Sequence, residues 1–284
     1  MLDTAIYGEY TTAWCPGCGN HDILAAVKKA LAMRDLPPEK VLMVSGIGQA
    51  AKAPHYITAN AFNGLHGRGL PAAIGAKLAN PELTVLVESG DGCLYGEGGN
   101  HFLAALRRNI SLTILAHDNG IYGLTKGQAS PTSTSAQNTK AQPFGINSLP
   151  FNPLATAIIG GASLVGRGFS GDREGLPALI SEAISHPGIA LIDILTPCVS
   201  FNKHNTFAWY KKRCRPLPAD HDPTDKFAAL VQAEKWEEEI PLGVIYRRHD
   251  RPPMESHFPM LADGPLARQA VNRQELRAFQ DGFR

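Results

Sequence analysis

Four runs, "VLMVSGIG", "LTVLVESG", "SLTILAHDN" and "IALIDILTP", are apolar at nearly every position and then stop in glycine, aspartate, asparagine or proline. A strand buried on one face alternates apolar and polar residues, whereas a strand apolar throughout is buried on both faces. Between these runs stand "HDILAAVKKALAMRDL", "GLPAAIGAKLA", "GNHFLAALRRN" and "GLPALISEAISH", whose apolar residues recur at helical spacing. The alternation predicts an α/β fold: a parallel sheet covered by helices on both faces. Beyond about Asp220 the pattern weakens. "PTDKFAALVQAEKW" reads as a helix and "LGVIYRR" as a strand, while "RHDRPPMESHFP" and the last twenty residues read as a polar, mobile tail. The expected organisation is a main α/β domain over residues 1–220 and a C-terminal extension over 221–284, packed on that domain or on a partner.

Composition narrows the function classes. With 44% hydrophobic residues in 284, the chain can bury a sizeable core. A formal charge of +1 gives no reason to expect a nucleic-acid or membrane surface, and the basic run "YKKRCR" reads as a solvated face. No stretch approaches the ~18 apolar residues of a membrane span, and the N-terminus lacks the order of a signal peptide, so the expected location is the cytoplasm.

In a parallel sheet, ligands bind just beyond the carboxyl ends of the strands. Those post-strand segments are "SGIGQAAKAPH", "SGDGCLYGEGGNH", "HDNGIYGLTKGQASPT" and "TPCVSFNKHN". Gly90-Asp91-Gly92 follows one strand; after twenty-six residues Asn119 follows the next. Neighbouring parallel strands would bring the Asp91 carboxylate and the Asn119 amide oxygen to one rim, where they could share a hard cation. Mg²⁺ takes oxygen ligands and recruits phosphate oxygens for its remaining positions. The glycines would let backbone N–H groups approach those phosphates, and the helix starting at "EGGNH" would add its dipole. The plainer reading is an Asp-Gly turn plus an asparagine cap. Residues 126–153, rich in Ser, Thr, Gln, Asn and Pro, are too long for an ordinary connection and read as a functional loop.

The five cysteines are Cys15, Cys18, Cys93, Cys198 and Cys214. An odd number spread through a chain of this size points to metal binding, catalysis or burial rather than to cross-links. "TTAWCPGCGN" sets Cys15 and Cys18 three positions apart in a Pro/Gly loop, which is half of a metal site.

Taken in order, "WCPGCGN", "SGIG", "HGRGLPAAIGAKLANP", "GDG…GGNHFLAALRRN" and "DNGIYGLTKGQASPT" resemble the β subunit of the two-subunit 2-oxoacid:ferredoxin oxidoreductases, from about Trp14 to beyond Cys198. The resemblance implies a thiamine-diphosphate-binding fold. It implies that Asp91, Asn119 and the main-chain carbonyl of Ile121 hold Mg²⁺ against the cofactor diphosphate. It places His66 and the loop of Gly46, Ile47 and Gly48 near the cofactor, with Gly90, Gly92, Leu124 and Thr125 around the phosphates. Read without the family, His66 would be a capping or core histidine. The implied activity is oxidative decarboxylation of a 2-oxoacid with coenzyme A to acyl-CoA, CO₂ and reduced ferredoxin or a similar carrier. The implied partner is an α subunit that completes the active site and carries the glutamate activating the thiamine ring, so Glu82, Glu88 and Glu97 are read as structural. Lys52 and Lys126 are candidates for substrate charge. A lysine in "GLTKGQ", facing a second carboxylate, favours 2-oxoglutarate over pyruvate; the plainer reading of each lysine is a solvated side chain.

In the family, Cys15, Cys18, a cysteine directly after "SGIG" and a late cysteine bind one [4Fe–4S] cluster. Cys198 matches the late position, but Gln49 stands where the third cysteine belongs. A glutamine oxygen is a hard, poor ligand for such a cluster. The alternatives are a cluster with an unusual fourth ligand, a three-iron form, no metal, or zinc or a redox pair on the same thiols; Cys93 and Cys214 are weaker substitutes for the missing ligand. Three functions follow: the β chain of a 2-oxoacid oxidoreductase, a thiamine-diphosphate enzyme subunit without a functional cluster, or a non-catalytic partner subunit.

Overall fold

The computed structural model describes residues 2–135 and 137–283. Its centre is a sheet of eight strands: β1 (Val41–Ser45), β2 (Asn60–Asn63), β3 (Thr84–Gly90), β4 (Leu112–Asp118), β7 (Leu164–Phe169), β8 (Ile189–Leu195), β9 (Cys214–Pro216) and β10 (Ile240–Arg247). They lie in the order β2-β1-β3-β4-β8-β7-β10-β9. A separate two-stranded hairpin joins β5 (Ile121–Tyr122) to β6 (Gln128–Ala129). All pairs in the large sheet are parallel except β7 with β10.

Successive strand residues serve opposite layers. Val85, Val87, Ile114 and Leu191 pack under α2 (Gly69–Ala79), α3 (Gly99–Arg108), α4 (Pro153–Gly160) and α7 (Lys226–Glu234). Leu86, Leu115 and Ile192 pack on the other face, against α1 (Asn20–Met33) and α5 (Gly175–Ser185). At about 1.5–3 kcal/mol for each fully buried large aliphatic, these two layers are the main source of cohesion. Edge strand β2 is exposed along its whole length. The short α6 (Phe207–Arg213) adds Tyr210 to a smaller cluster with Phe169, Leu195 and Ile240.

Local sequence explains where the elements stop. α1 ends at Arg34 and Asp35, the latter at φ 49°, ahead of Leu36 and two prolines. α3 ends on Asn109 in the left-handed conformation, whose side chain accepts from Ser163 Oγ and Ile189 N and donates to the carbonyls of Arg251 and Pro252. The Asp225 carboxylate caps α7 by accepting from Phe227 N and Ala228 N, a contact worth about 1 kcal/mol.

Among the elements that escape the sequence pattern are α4 and β7. β7 reads "LVGRGF", with two glycines and an arginine, because Arg167 is buried and donates to the carbonyls of Ala233 and Lys235. The stretch after residue 220 contributes more than an outer layer: β10 enters the sheet between β7 and β9. "RHDRPPMESHFP", read as a mobile tail, is tied to the end of α3. Arg251 donates to the carbonyls of Leu106 and Gly161, and Glu255 accepts from Ser111 N. The chain closes on a helix, α8 (Arg273–Asp281), which buries no side chain. Among the described residues no helix is long and apolar enough to cross a membrane.

Candidate functional site

The carboxyl ends of β1, β3 and β4 open on one cleft. Pairing of Gly90 with His117 sets the two strand ends side by side, so Asp91 and Asn119 reach the same rim. The cleft is lined by Ile47, Gly48, His66, Gly90, Asp91, Gly92, Asn119, Ile121, Leu124 and Thr125, together with Gln49, Ala50, Cys93, Tyr122 and Gly123. Gly46 lies just behind it: a Cβ there would stand 2.6 Å from Cys93 Sγ. Lys52 is half-buried on the 3-10 turn Ala50–Tyr56. Lys126 is exposed at the tip of the β5–β6 hairpin, so neither lysine lines the cleft.

Each edge of the cleft is fixed by local bonding. After β1, Ser45 Oγ donates to Ala51 O and Asn63 Nδ2 to Gly46 O, which sets the glycine loop. After β3, a turn of wide, π-type helix over Gly92–Glu97 leads into α3; such turns recur at functional sites. A Cβ on Gly92 would collide with the ring of Tyr122, so only glycine allows the two segments to close. After β4, Asn119 Oδ1 accepts from Ile121 N at 3.0 Å across Gly120, which sits at φ 64°.

The electrostatics of the rim are unbalanced. Asp91 is 1% exposed, and burial pushes its carboxyl above the usual range even though Ser130 and Thr132 hydroxyls donate to Oδ2. Thr132 Oγ1 stands 2.7 Å from both Asp91 Oδ2 and Asp118 Oδ1. Asp118 is likewise raised, by burial first and then by the charges of Asp193 and Asp91. Deeper still, burial raises Asp193 from 3.8 to about 6 despite the hydroxyl of Tyr95 donating to it at 2.7 Å. Among the described residues that line the cleft there is no lysine or arginine. A buried anionic rim of this kind suits a metal ion, and its donors are hard oxygens. The residues therefore fit Mg²⁺ and a diphosphate. Gln49 Oε1 adds a buried acceptor without a hydrogen-bond partner among the described residues.

Several participants escape a reading of the sequence. Ser130, Thr132 and Asp118 surround Asp91, and Tyr122 donates to Gly92 O while approaching Glu97. Glu97, read as structural, stands at the cleft with Oε2 3.1 Å from His66 Nδ1. Glu82 and Glu88 lie elsewhere. Glu82 meets Arg268 and Lys40 at the surface; Glu88 is buried against His117. The run "ASPTSTS" directly after a rim hairpin was the available signal for the hydroxyls.

Beside the cleft lie the thiols of Cys15, Cys18 and Cys198. Cys18 N donates to Cys15 O at 3.0 Å, Gly17 packs toward Val199, and Ser200 Oγ donates to Cys15 Sγ at 3.2 Å. The Cys18 thiol is pushed up to about 11, by burial first and also by neighbouring Cys198 and Cys15. The three sulfurs thus share one region. Among the described residues, no group of three or more His, Cys, Asp or Glu side chains is close enough to hold a single ion. Thiolates on one zinc stand only about 3.8 Å apart, given Zn–S of about 2.3 Å. The three thiols are thus not drawn up, among the described residues, into a site for a single zinc ion. Cys93 lies on the cofactor side, its Sγ accepting from Ile47 N and Gly67 N. Cys214 begins β9 at the far sheet edge.

The thiol turn is bound to the sheet by a buried chain of side chains. His117 meets Asn20 Oδ1 at 2.9 Å with one ring nitrogen and Glu88 Oε2 at 2.5 Å with the other. Trp14, next to Cys15, donates from Nε1 to Gln49 O at 2.8 Å.

Comparison with known proteins follows the same outline. Residues 42–194 match the family model of the thiamine pyrophosphate enzyme C-terminal TPP binding domain, and residues 198–263 match that of the C-terminal part of the pyruvate ferredoxin oxidoreductase beta subunit. The chain is 41% identical to the 2-oxoacid:ferredoxin oxidoreductase 1 subunit beta of Aeropyrum pernix, across 94% of this chain and 89% of that protein. It is 44% identical to the 2-oxoglutarate oxidoreductase subunit KorB of Mycobacterium tuberculosis, across 66% of this chain and 51% of that one. Among solved structures, it superposes with a TM-score of 0.91 and 34% identity on the 2-oxoglutarate:ferredoxin oxidoreductase of Magnetococcus marinus with 2-oxoglutarate, coenzyme A and succinyl-CoA bound, covering 98% and 96% of the two chains.

Proposed function

The chain belongs to the β subunits of the 2-oxoacid:ferredoxin oxidoreductases, and we propose that with an α subunit it oxidatively decarboxylates 2-oxoglutarate, using coenzyme A and reducing ferredoxin. The observation that carries the reading is the buried Asp91 carboxylate at one cleft with Asn119, Ile121 and the glycines of two strand ends. Thiamine diphosphate, when bound, supplies the carbon nucleophile and electron sink for decarboxylation. Asp91, Asn119 and the Ile121 carbonyl would hold Mg²⁺ there, and the ion would offset the buried negative charge. Gly90 and Gly92 admit the diphosphate at backbone distance. His66, held near Glu97 and beside Tyr122, presents a polar ring to the reacting end of the cleft.

Lys126 supports the choice of a dicarboxylic substrate. Its φ of 81° is left-handed, a strained conformation for a lysine, and strain of this kind concentrates where a side chain must be aimed. A cation there attracts the distal carboxylate of 2-oxoglutarate, and the bound ligand of the Magnetococcus marinus protein accords with that substrate. Exposed Leu65, Leu124 and Phe201 beside the cleft are the apolar rim that an α subunit would cover.

Cys15, Cys18 and Cys198 are the residues that would hold an iron–sulfur group, which when bound would supply one-electron transfer. The complex works in the cytoplasm, where thiols stay reduced. The test is co-expression with the α subunit, followed by assay of thiamine diphosphate, magnesium, iron and sulfide and of coenzyme A-dependent ferredoxin reduction with 2-oxoglutarate and pyruvate. Cofactor with iron and preference for 2-oxoglutarate is expected. Thiamine diphosphate without iron would select the enzyme form lacking a cluster, and neither cofactor a structural role.

A further inference from the structure

We propose that Cys93 is a positioning residue of the cofactor cleft: its sulfur is the shared hydrogen-bond acceptor that fixes the glycine loop after β1 and the His66 loop relative to each other. The inference rests on the reading of the cleft as a thiamine diphosphate site.

Three chain segments meet at this one atom. Cys93 lies in the wide turn Gly92–Glu97, directly after the Asp91 rim. Its Sγ accepts from Ile47 N at 3.4 Å, in the loop after β1, and from Gly67 N at 3.2 Å, in the loop after β2. Cys93 is 4% exposed and Gly67 is buried, so without the sulfur the Gly67 N–H would be a buried donor left unpaired.

Packing around the sulfur leaves the loops little freedom. A Cβ on Gly46 would stand 2.6 Å from Sγ, and one on Gly67, at φ 71°, would stand 2.5 Å from the carbonyl carbon of Glu97. The two glycines let the loops close on the turn, and the sulfur holds them there. His66 directly precedes Gly67, and its Nδ1 stands 3.1 Å from Oε2 of Glu97, the last residue of the same turn. The turn therefore grips the His66 loop twice, by its backbone through Cys93 and by its ring through Glu97. Ile47 and His66 both line the cleft, so one sulfur sets the spacing between two of its lining segments.

A buried cysteine can also be no more than a small apolar filler. The two roles rank the replacements in opposite order. For a filler, alanine is the milder change and serine, which buries a hydroxyl, the harsher. For an acceptor, serine is the milder, because a hydroxyl oxygen accepts N–H bonds and a methyl group accepts none.

The experiment compares the purified α–β complex with its Cys93→Ala and Cys93→Ser variants. Amide hydrogen exchange is measured without added cofactor in peptides spanning residues 45–48 and 65–68, and thiamine diphosphate affinity by calorimetric titration in the presence of magnesium. Cys93→Ala should speed exchange in both peptides by about tenfold or more, with exchange across α1 and β8 unchanged, and weaken cofactor binding by a comparable factor. Cys93→Ser should recover most of both. A Cys93→Ala chain that does not assemble beside a Cys93→Ser chain that does gives the same ranking. Equal effects of the two variants, a serine variant worse than the alanine one, or failure of Cys93→Ser to assemble overturns the proposal. An unmutated complex that takes up no thiamine diphosphate overturns the cofactor reading instead, and the exchange ranking then decides the role of the sulfur by itself.

Discussion

The cofactor cleft and the thiol loops lie side by side, yet they are built on opposite plans. The cleft is assembled from strand ends: Asp91 and Asn119 extend β3 and β4, and Thr132 returns from a distant loop to touch two aspartates at once. Its polar donors are hard oxygens, held close to the sheet. The thiols sit on two loops, with Cys15 exposed and Cys18 and Cys198 half-buried. A divalent ion in the cleft would thus take its geometry from the sheet, whereas any metal group on the thiols would take its geometry from loops that the sheet merely tethers.

If the two plans are independent, each region can be emptied without disturbing the other. Cys198→Ser should remove essentially all iron from the α–β complex while thiamine diphosphate content is unchanged; simultaneous loss of both by metal and cofactor analysis would mean that the two regions are not separable. Asp91→Ala should do the converse, lowering magnesium-dependent cofactor affinity by more than ~100-fold, beyond the usual effect of an outer partner of a metal site, with iron retained. Calorimetric titration reads it.

Beneath the cleft, Asp193 tests how unfavourable the buried charge is. Its folded value is raised from 3.8 to about 6. The native state therefore binds the extra proton between those values, so this contribution to stability is complete below about pH 4 and is lost as pH rises through about 6. A shift of this size corresponds to about 3 kcal/mol. Asp193→Asn should flatten that part of the thermal stability profile, and an unchanged profile would place the unfavourable charge elsewhere. Gly92→Ala should cost about 1–3 kcal/mol through displacement of Tyr122, visible as a lowered melting temperature and weaker cofactor binding, with no change at the thiols. Smallest is Lys126→Ala, expected to reduce kcat/KM for 2-oxoglutarate by ~10-fold, about 1.4 kcal/mol, and to leave pyruvate nearly untouched. An equal loss on both substrates would remove Lys126 as a specificity residue.

The legible part of the molecule is the part where one segment suffices. β3, β4 and β8 announce themselves because burial on both faces demands uninterrupted Val, Ile and Leu, and the residues just past them mark the rim. β7 does not, since its two glycines and Arg167 make sense only beside β8, β10 and the carbonyls after α7. The short α4 had readable ends, Asn152 capping through Ala155 N, Pro153 in the first turn and left-handed Gly161, but only eight residues between them. Asp91 and Asn119 could be found by position. Ser130 and Thr132 could not, because their approach to Asp91 depends on the path of a loop with no periodicity to follow. The departure at Gln49 was visible in the sequence. That its side chain lines the cleft became visible only in three dimensions.

The bonds from Trp14 to the Gln49 carbonyl and from Asn20 through His117 to Glu88 bear on biogenesis. A small zinc finger is unfolded until its metal arrives, so metal and shape are acquired together. Here the turn carrying Cys15 and Cys18 is pinned at both ends by the protein itself. The turn can thus keep its shape before any metal arrives, and if these thiols take up iron, its insertion would be a late step on a chain already folded.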